Sequence, residues 1–214
     1  MPTLLEQLND DLSRLSAQAL ASLVQVHNGR RGAGAGSIWH GDGLIVTNAH
    51  VVLTRHGTVS DALSVTLQDG RELPARVLAT DTDHDLAALR VQAAGLPTIQ
   101  IGDSRRLHPG DLVLALGYPF GVAGGATSGV VIGMGAHLPE LGDARREWIA
   151  ASLHLRPGHS GGPLLDSEGR LVGINTLMTG PEVGAAVPSH VVVEFLKRAL
   201  GRPAGPPPSG MVVV

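Results

Sequence analysis

The chain has 214 residues, with 16 basic against 19 acidic side chains and a formal net charge of −3 at pH 7, which excludes a strongly basic nucleic-acid binder. Its 43% hydrophobic content excludes a disordered chain. The absence of cysteine excludes disulfides, thiolate metal sites and a cysteine nucleophile. Glycine is abundant at 29 residues, while aromatics make up 2% and charged residues 16%. Many glycines with few charges point to tight turns and close backbone approaches, as in a protein of small strands.

Residues 3–23 read as a helix. Leu5, Leu8, Leu12, Leu15 and Ala19 recur at steps of three and four and share one face. Thr3 and Glu6 have capping-box spacing, and Asp10 and Arg14 sit one turn apart on the polar side. That apolar face packs either on its own domain or on another subunit. The segment has no basic start and no continuous apolar run, and Glu6, Asp10 and Asp11 stand where an export signal is apolar. The expectation is a cytoplasmic protein. No stretch approaches the roughly 18 consecutive apolar residues of a membrane span, so no membrane contact is expected.

From about residue 23 the pattern changes to short apolar runs broken by glycine, asparagine or aspartate, such as LIVTN at 44–48, DLAALRV at 85–91 and DLVLALG at 111–117. Some alternate and others are continuous. Short strands with frequent turn signals predict β-sandwich or β-barrel packing. No helical pattern intervenes that would build βαβ units. A second helix is expected over Ser189–Leu200, with Ser189 as cap, Val192, Phe195, Leu196 and Leu200 on one face, and Gly201 as the stop. Residues 201–214 read as a proline-rich, linker-like tail ending in MVVV.

The strongest chemical signal is GHSGGPLL at 158–165. A nucleophilic serine needs backbone amides aimed at the oxygen that becomes negative during acyl transfer. Gly158, Gly161 and Gly162 around Ser160 let the chain turn tightly enough to aim them. A serine hydroxyl also needs a neighbouring base, and His50 in TNAHVV is the candidate. The base in turn needs an acceptor that fixes its tautomer, and Asp85, opening DLAALRV, is the candidate. Taken singly, each is equally a turn serine, a loop histidine and a strand-start aspartate. Their order, His then Asp then Ser, is that of the two-barrel serine proteases.

At this point the chain resembles the HtrA/Deg family of trypsin-like serine proteases. The resemblance lies in GAGSIWHGDGLIVTNAHVV (34–52), DTDHDLAALRV (81–91), GDLVLALGYPFG (110–121), TSGVVIG (127–133), PGHSGGPLLDSEGRLVGINT (157–176) and VGAAVPS (183–189), in the family's order. It implies an all-β fold of two six-stranded antiparallel barrels of the chymotrypsin type, with an N-terminal and a short C-terminal helix. It divides the chain into an amphipathic helix at 1–22, a protease domain at 23–200 and a proline-rich tail at 201–214. Within the protease domain the first barrel would span about 23–104, the second about 105–188 and the C-terminal helix 189–200.

The resemblance assigns His50, Asp85 and Ser160 as the catalytic triad, and the backbone N–H groups of Gly158 and Ser160 as the oxyanion hole. It assigns His154, Leu155, Arg156, Asn175, Thr176, Leu177, Met178 and Ala185 to substrate binding. It implies no metal and no cofactor, protein or peptide substrates, and a possible homo-oligomer, a trimer by default. The expected activity is that of a serine endopeptidase on unfolded or flexible segments, in protein quality control. The alternative is a peptide-binding or chaperone-like module with little turnover.

Three features depart from the family pattern. His159 stands just before the serine where asparagine or aspartate is usual. His154 stands at the base of the primary specificity pocket where a small or apolar residue is usual. The family's C-terminal PDZ domains have no counterpart here, which fits either a PDZ-less member or a sequence ending where a PDZ strand would begin.

Overall fold

The computed structural model describes residues 3–29, 34–54, 57–60, 62–136, 138, 146–201 and 211–213. Six strands, β1 (Leu23–Asn28), β2 (Gly34–His40), β3 (Leu44–Thr47), β4 (Leu63–Thr66), β5 (Glu72–Asp81) and β6 (Leu86–Val91), form the first barrel. They pair in the order β5-β4-β1-β2-β3-β6, and β6 closes back on β5. The next six, β7 (Leu112–Gly117), β8 (Gly125–Gly135), β9 (Trp148–Ser152), β10 (Pro163–Leu165), β11 (Leu171–Gly180) and β12 (Val183–Pro188), form a second closed barrel in the order β10-β11-β12-β9-β8-β7. Every pairing is antiparallel. The expected architecture of two six-stranded antiparallel barrels is what the chain adopts.

The burial pattern explains why some runs alternate and others are continuous. Successive side chains of a strand point to opposite faces. In β3, Ile45 joins a cluster confined to the first barrel with Val24, Val26 and Leu89, while Leu44 and Val46 face the other way. In β7, Val113 and Ala115 join a cluster confined to the second barrel, and Leu114 and Leu116 leave it. The outward residues of both barrels meet in one shared cluster, so strands at the seam are apolar on both faces. The site sits at this seam.

Helix α1 (Leu4–Leu20) opens with a complete capping box: Glu6 N–H donates to Thr3 Oγ1 at 3.3 Å, and Thr3 N–H donates to Glu6 Oε2 at 2.7 Å. Only Leu15 and Ala19 of its apolar stripe are buried; Leu4, Leu5 and Leu8 are exposed. The helix is anchored at its C-terminal end, where Leu15 lies over Gly169 and Leu20 over Gly124. Arg14 pairs with Asp11 at 2.9 Å rather than with Asp10, because the i,i+3 position lies equally close on the helix surface.

A one-turn helix α2 (Ala49–Val52) carries His50. Helix α3 (Ser189–Leu200) buries Val191, Val192, Phe195 and Leu196 in the shared cluster. Ser189 is not its cap. Pro188 holds that position, and the Ser189 hydroxyl donates to Gly102 O at 2.8 Å and accepts from Ser104 N–H at 3.1 Å. Gly201 ends the helix, its N–H donating to Lys197 O. Residues 202–210 of the proline-rich tail lie outside the described residues. Beyond them, β13 (Met211–Val213) pairs antiparallel with the Ala79–Asp81 end of β5. Among the described residues no helix is long and apolar enough to cross a membrane.

Candidate active site

The first barrel supplies His50 and Asp85 from neighbouring segments, because α2 follows β3 and β3 pairs with β6. Asp85 precedes β6 in the left-handed region, at φ 53°. That conformation is strained for any side chain other than glycine, although aspartate and asparagine tolerate it best. It lets one carboxylate grip His50 twice. Oδ2 lies 2.7 Å from the ring Nδ1, and Oδ1 accepts the His50 backbone N–H at 2.9 Å. A carboxylate only accepts, so Nδ1 carries the proton and Nε2 keeps a free lone pair. His50 is half-exposed and Asp85 mostly covered.

The second barrel supplies Ser160 on the loop between β9 and β10. This loop is built around backbone positions. Gly158 has φ 106° and Gly161 has φ 83°. A Cβ at Gly158 would run into Tyr118 O, and one at Gly161 into Ala35 O and Thr47 Oγ1. The loop is held by Tyr118 N–H on Gly158 O, Gly161 N–H on Asn175 O and Gly162 N–H on His159 O, all at 2.8–2.9 Å. Among the described residues, the N–H groups of Gly158 and Ser160 have no hydrogen-bond acceptor within the protein. Two amide donors in one tight turn are therefore available to an anion.

The two halves meet across the seam. Ala35 N–H at the start of β2 donates to Ser160 O at 2.8 Å. A Cβ at neighbouring Gly34 would touch both Ser160 O and the side chain of Val51, the residue after His50. The Ser160 hydroxyl donates to Thr176 O at 3.0 Å rather than to His50. Asn48, two residues before His50 and absent from the sequence-based list of site residues, is fully buried and bonded to both Asp85 and Thr176.

The structure places the expected substrate-binding residues in two sets. Asn175 and Thr176 are buried and shape the loop that carries Ser160. Asn175 Nδ2 donates to Pro163 O at 2.8 Å, and Thr176 Oγ1 donates to Ile174 O at 3.1 Å. Ala185 is buried in β12 opposite Ala150. Leu155 is buried and its N–H meets Met178 Sδ at 3.2 Å, while Arg156 and Leu177 are exposed. His154 is half-exposed and turns its Nδ1 toward Glu182 Oε1, 3.7 Å away. His159 is buried. Its Nδ1 lies 3.1 Å from the Arg156 N–H nitrogen and 3.2 Å from Arg156 O. Burial disfavours the charged ring and pulls the His159 pKa below the usual histidine value.

A family model described as trypsin-like peptidase domain matches residues 34–174. The chain is 42% identical over 147 residues to a Halomonas elongata protein titled "Probable periplasmic serine endoprotease DegP-like", covering 69% of this chain and 30% of that protein. It is 36% identical over 171 residues to the mitochondrial serine protease HTRA2 of Drosophila pseudoobscura pseudoobscura, covering 79% of this chain and 39% of that protein. The chain thus spans well under half the length of these relatives. Among solved structures, the HtrA-type protease AlgW with tripeptide superposes with a TM-score of 0.78 at 29% identity, over 89% of this chain and 64% of that one.

Proposed function

The chain belongs to the trypsin-like peptidase domain family, and from that premise we propose that it is a serine endopeptidase acting on unfolded or flexible protein segments, as in protein quality control. The observation that carries this reading is the double grip of Asp85 on His50. It fixes the imidazole with Nε2 deprotonated, next to a serine loop whose two amides are unspent. In the proposed reaction the Ser160 hydroxyl leaves Thr176 O by rotation about its Cα–Cβ bond and attacks the scissile carbonyl. His50 Nε2 takes the hydroxyl proton and returns it to the leaving amine. Asp85 holds the ring and offsets its charge, and Gly158 and Ser160 N–H groups bind the oxyanion. A second cycle with water releases the acyl group. No step calls on a metal or a cofactor.

The substrate-side residues support cleavage after aliphatic side chains. Leu155, Met178 and Ala185 are apolar. Glu182, whose Oε1 lies 3.7 Å from His154 Nδ1, is exposed. Among the described residues no buried carboxylate stands there to neutralise a lysine or arginine. The exposed Leu4, Leu5 and Leu8 of α1 support a homo-oligomer, with a trimer as the family default; light scattering of the whole chain tests it. The relatives titled periplasmic and mitochondrial weigh against the cytoplasmic expectation drawn from the first residues.

One observation favours the rival reading of a peptide-binding module with little turnover: the serine hydroxyl is bonded to Thr176 rather than to the base. A fluorophosphonate probe separates the two. The peptidase reading expects labelling of Ser160 and cleavage of a denatured protein, both lost in Ser160→Ala. Peptide binding with neither labelling nor cleavage establishes the rival.

A further inference from the structure

Asn48 occupies the N-cap of α2, a position where asparagine ordinarily accepts a backbone N–H from the first turn. Here its side chain makes no capping bond. The first-turn N–H that it would take, that of His50, goes to Asp85 Oδ1. Asn48 instead turns its amide nitrogen away from the helix and spends both N–H donors elsewhere. One goes to Asp85 O at 2.9 Å and the other to Thr176 Oγ1 at 3.0 Å. Both partners require a donor: a carbonyl only accepts, and the Thr176 hydroxyl gives its own proton to Ile174 O. The orientation leaves Asn48 Oδ1 buried with no partner among the described residues, which costs stability as any orphaned buried polar group does. An ordinary cap would avoid that cost.

We propose that Asn48 is a positioning residue that clamps the left-handed Asp85 backbone of the first barrel to Thr176 of the second, and so sets the triad geometry across the seam. The inference rests on the peptidase reading above. Asp85 at φ 53° persists only if its surroundings over-determine it. The contacts are reciprocal: Asp85 caps the helix that carries His50, and Asn48, the residue that no longer caps it, holds Asp85. Thr176 carries the tie onward through its neighbour Asn175, whose carbonyl accepts Gly161 N–H and whose own N–H donates to Gly162 O in the serine loop. One amide therefore ties the acceptor Asp85, and through it the base His50, to Thr176 beside the serine loop. A misplacement of about 1 Å at such a site costs on the order of 10²-fold in rate.

The test compares Asn48→Ser, Asn48→Ala and Thr176→Val with the unmutated chain, using steady-state cleavage of an unfolded protein, fluorophosphonate labelling and thermal melting. Serine is a good N-cap but is too short to span to Thr176, so it restores a capping role and not the bridge. We expect kcat to fall about 10–100-fold in Asn48→Ser, with KM within about threefold and labelling slowed in step. Thr176→Val, which removes the second-barrel anchor together with the hydroxyl's own bond to Ile174 O, should reproduce part of that loss, and the double variant should lose less than the sum. Wild-type kcat in a folded Asn48→Ser, or strict additivity with Thr176→Val, overturns the proposal. If Asn48→Ala and Asn48→Ser both fail to fold, Thr176→Val alone decides it, and an unchanged kcat there overturns it. Absence of labelling and cleavage in the unmutated chain overturns the peptidase reading and this inference with it. Labelling that persists while the Asn48 variants match the wild type overturns this inference alone.

Discussion

The two barrels contribute to the site in opposite currencies of structure. The first supplies side chains that hold one another: Asp85 to His50, and Asn48 to Asp85. The second supplies backbone, a glycine-rich loop in which the N–H groups of Gly158 and Ser160 have no acceptor among the described residues and whose shape is set by carbonyls of its neighbours. A side-chain half tolerates isosteric replacement at the level of the fold and fails at the level of chemistry. A backbone half has no slack for an added carbon, so there the fold and the chemistry fail together.

Four experiments break or sharpen that contrast. The largest effect is expected from Ser160→Ala, which should lower turnover on the order of 10⁶-fold with an unchanged melting temperature, read by cleavage assay and calorimetry. Asp85→Asn comes next. Asparagine tolerates the left-handed backbone, so the fold should survive while kcat falls on the order of 10⁴-fold through loss of the correct tautomer. Retained activity would mean that the His50 ring is oriented by something else.

Gly161→Ala is the matching probe of the second barrel. The added Cβ meets Ala35 O and Thr47 Oγ1 at a positive φ, so stability should drop by about 2–5 kcal/mol along with activity. A stable, inactive Gly161→Ala would erase the contrast. The smallest effect concerns His159, whose buried ring resists protonation. The unfolded chain takes up a proton near the usual histidine value of roughly 6.5 while the folded chain does not, so the unfolded state binds more protons and stability falls as pH drops below that value. His159→Asn should show a shallower loss of melting temperature between about pH 7 and pH 5. Parallel curves for the two proteins would remove His159 from the acid response.

Much of this was legible from the residues. The turn-punctuated short runs announce strands in a sandwich or barrel, and the glycines around Ser160 a tight turn, because each follows from local chemistry; the two barrels were implied by the family resemblance. What was not legible depends on distant partners. Asn48 reads as an ordinary cap, since nothing in TNAHVV announces that Asp85, 37 residues on, takes over the capping bond. Ser189 reads as a cap for the same reason, yet its hydroxyl serves the Gly102–Ser104 segment. The leucine spacing of α1 correctly marks one face but not how far the barrel surface extends beneath it, so Leu5 and Leu8 emerge exposed. MVVV carries no periodicity to speak of, and the strand that Met211–Val213 joins is the distant edge of β5 at Ala79–Asp81.

The bond from Ala35 N–H to Ser160 O has one more consequence. The peptide that carries Ser160 is stitched to the opposite barrel, and Gly161 rests on the same strand. Any excursion that parts the barrels, even by a fraction of a turn and long before either one melts, pulls the serine out of register. The rate at which Ser160 accepts a covalent probe thereby becomes a gauge of how tightly the halves are shut. In a gentle denaturant titration it should fade ahead of the loss of β-sheet circular dichroism, reporting the opening of a hinge that spectroscopy on the strands does not see.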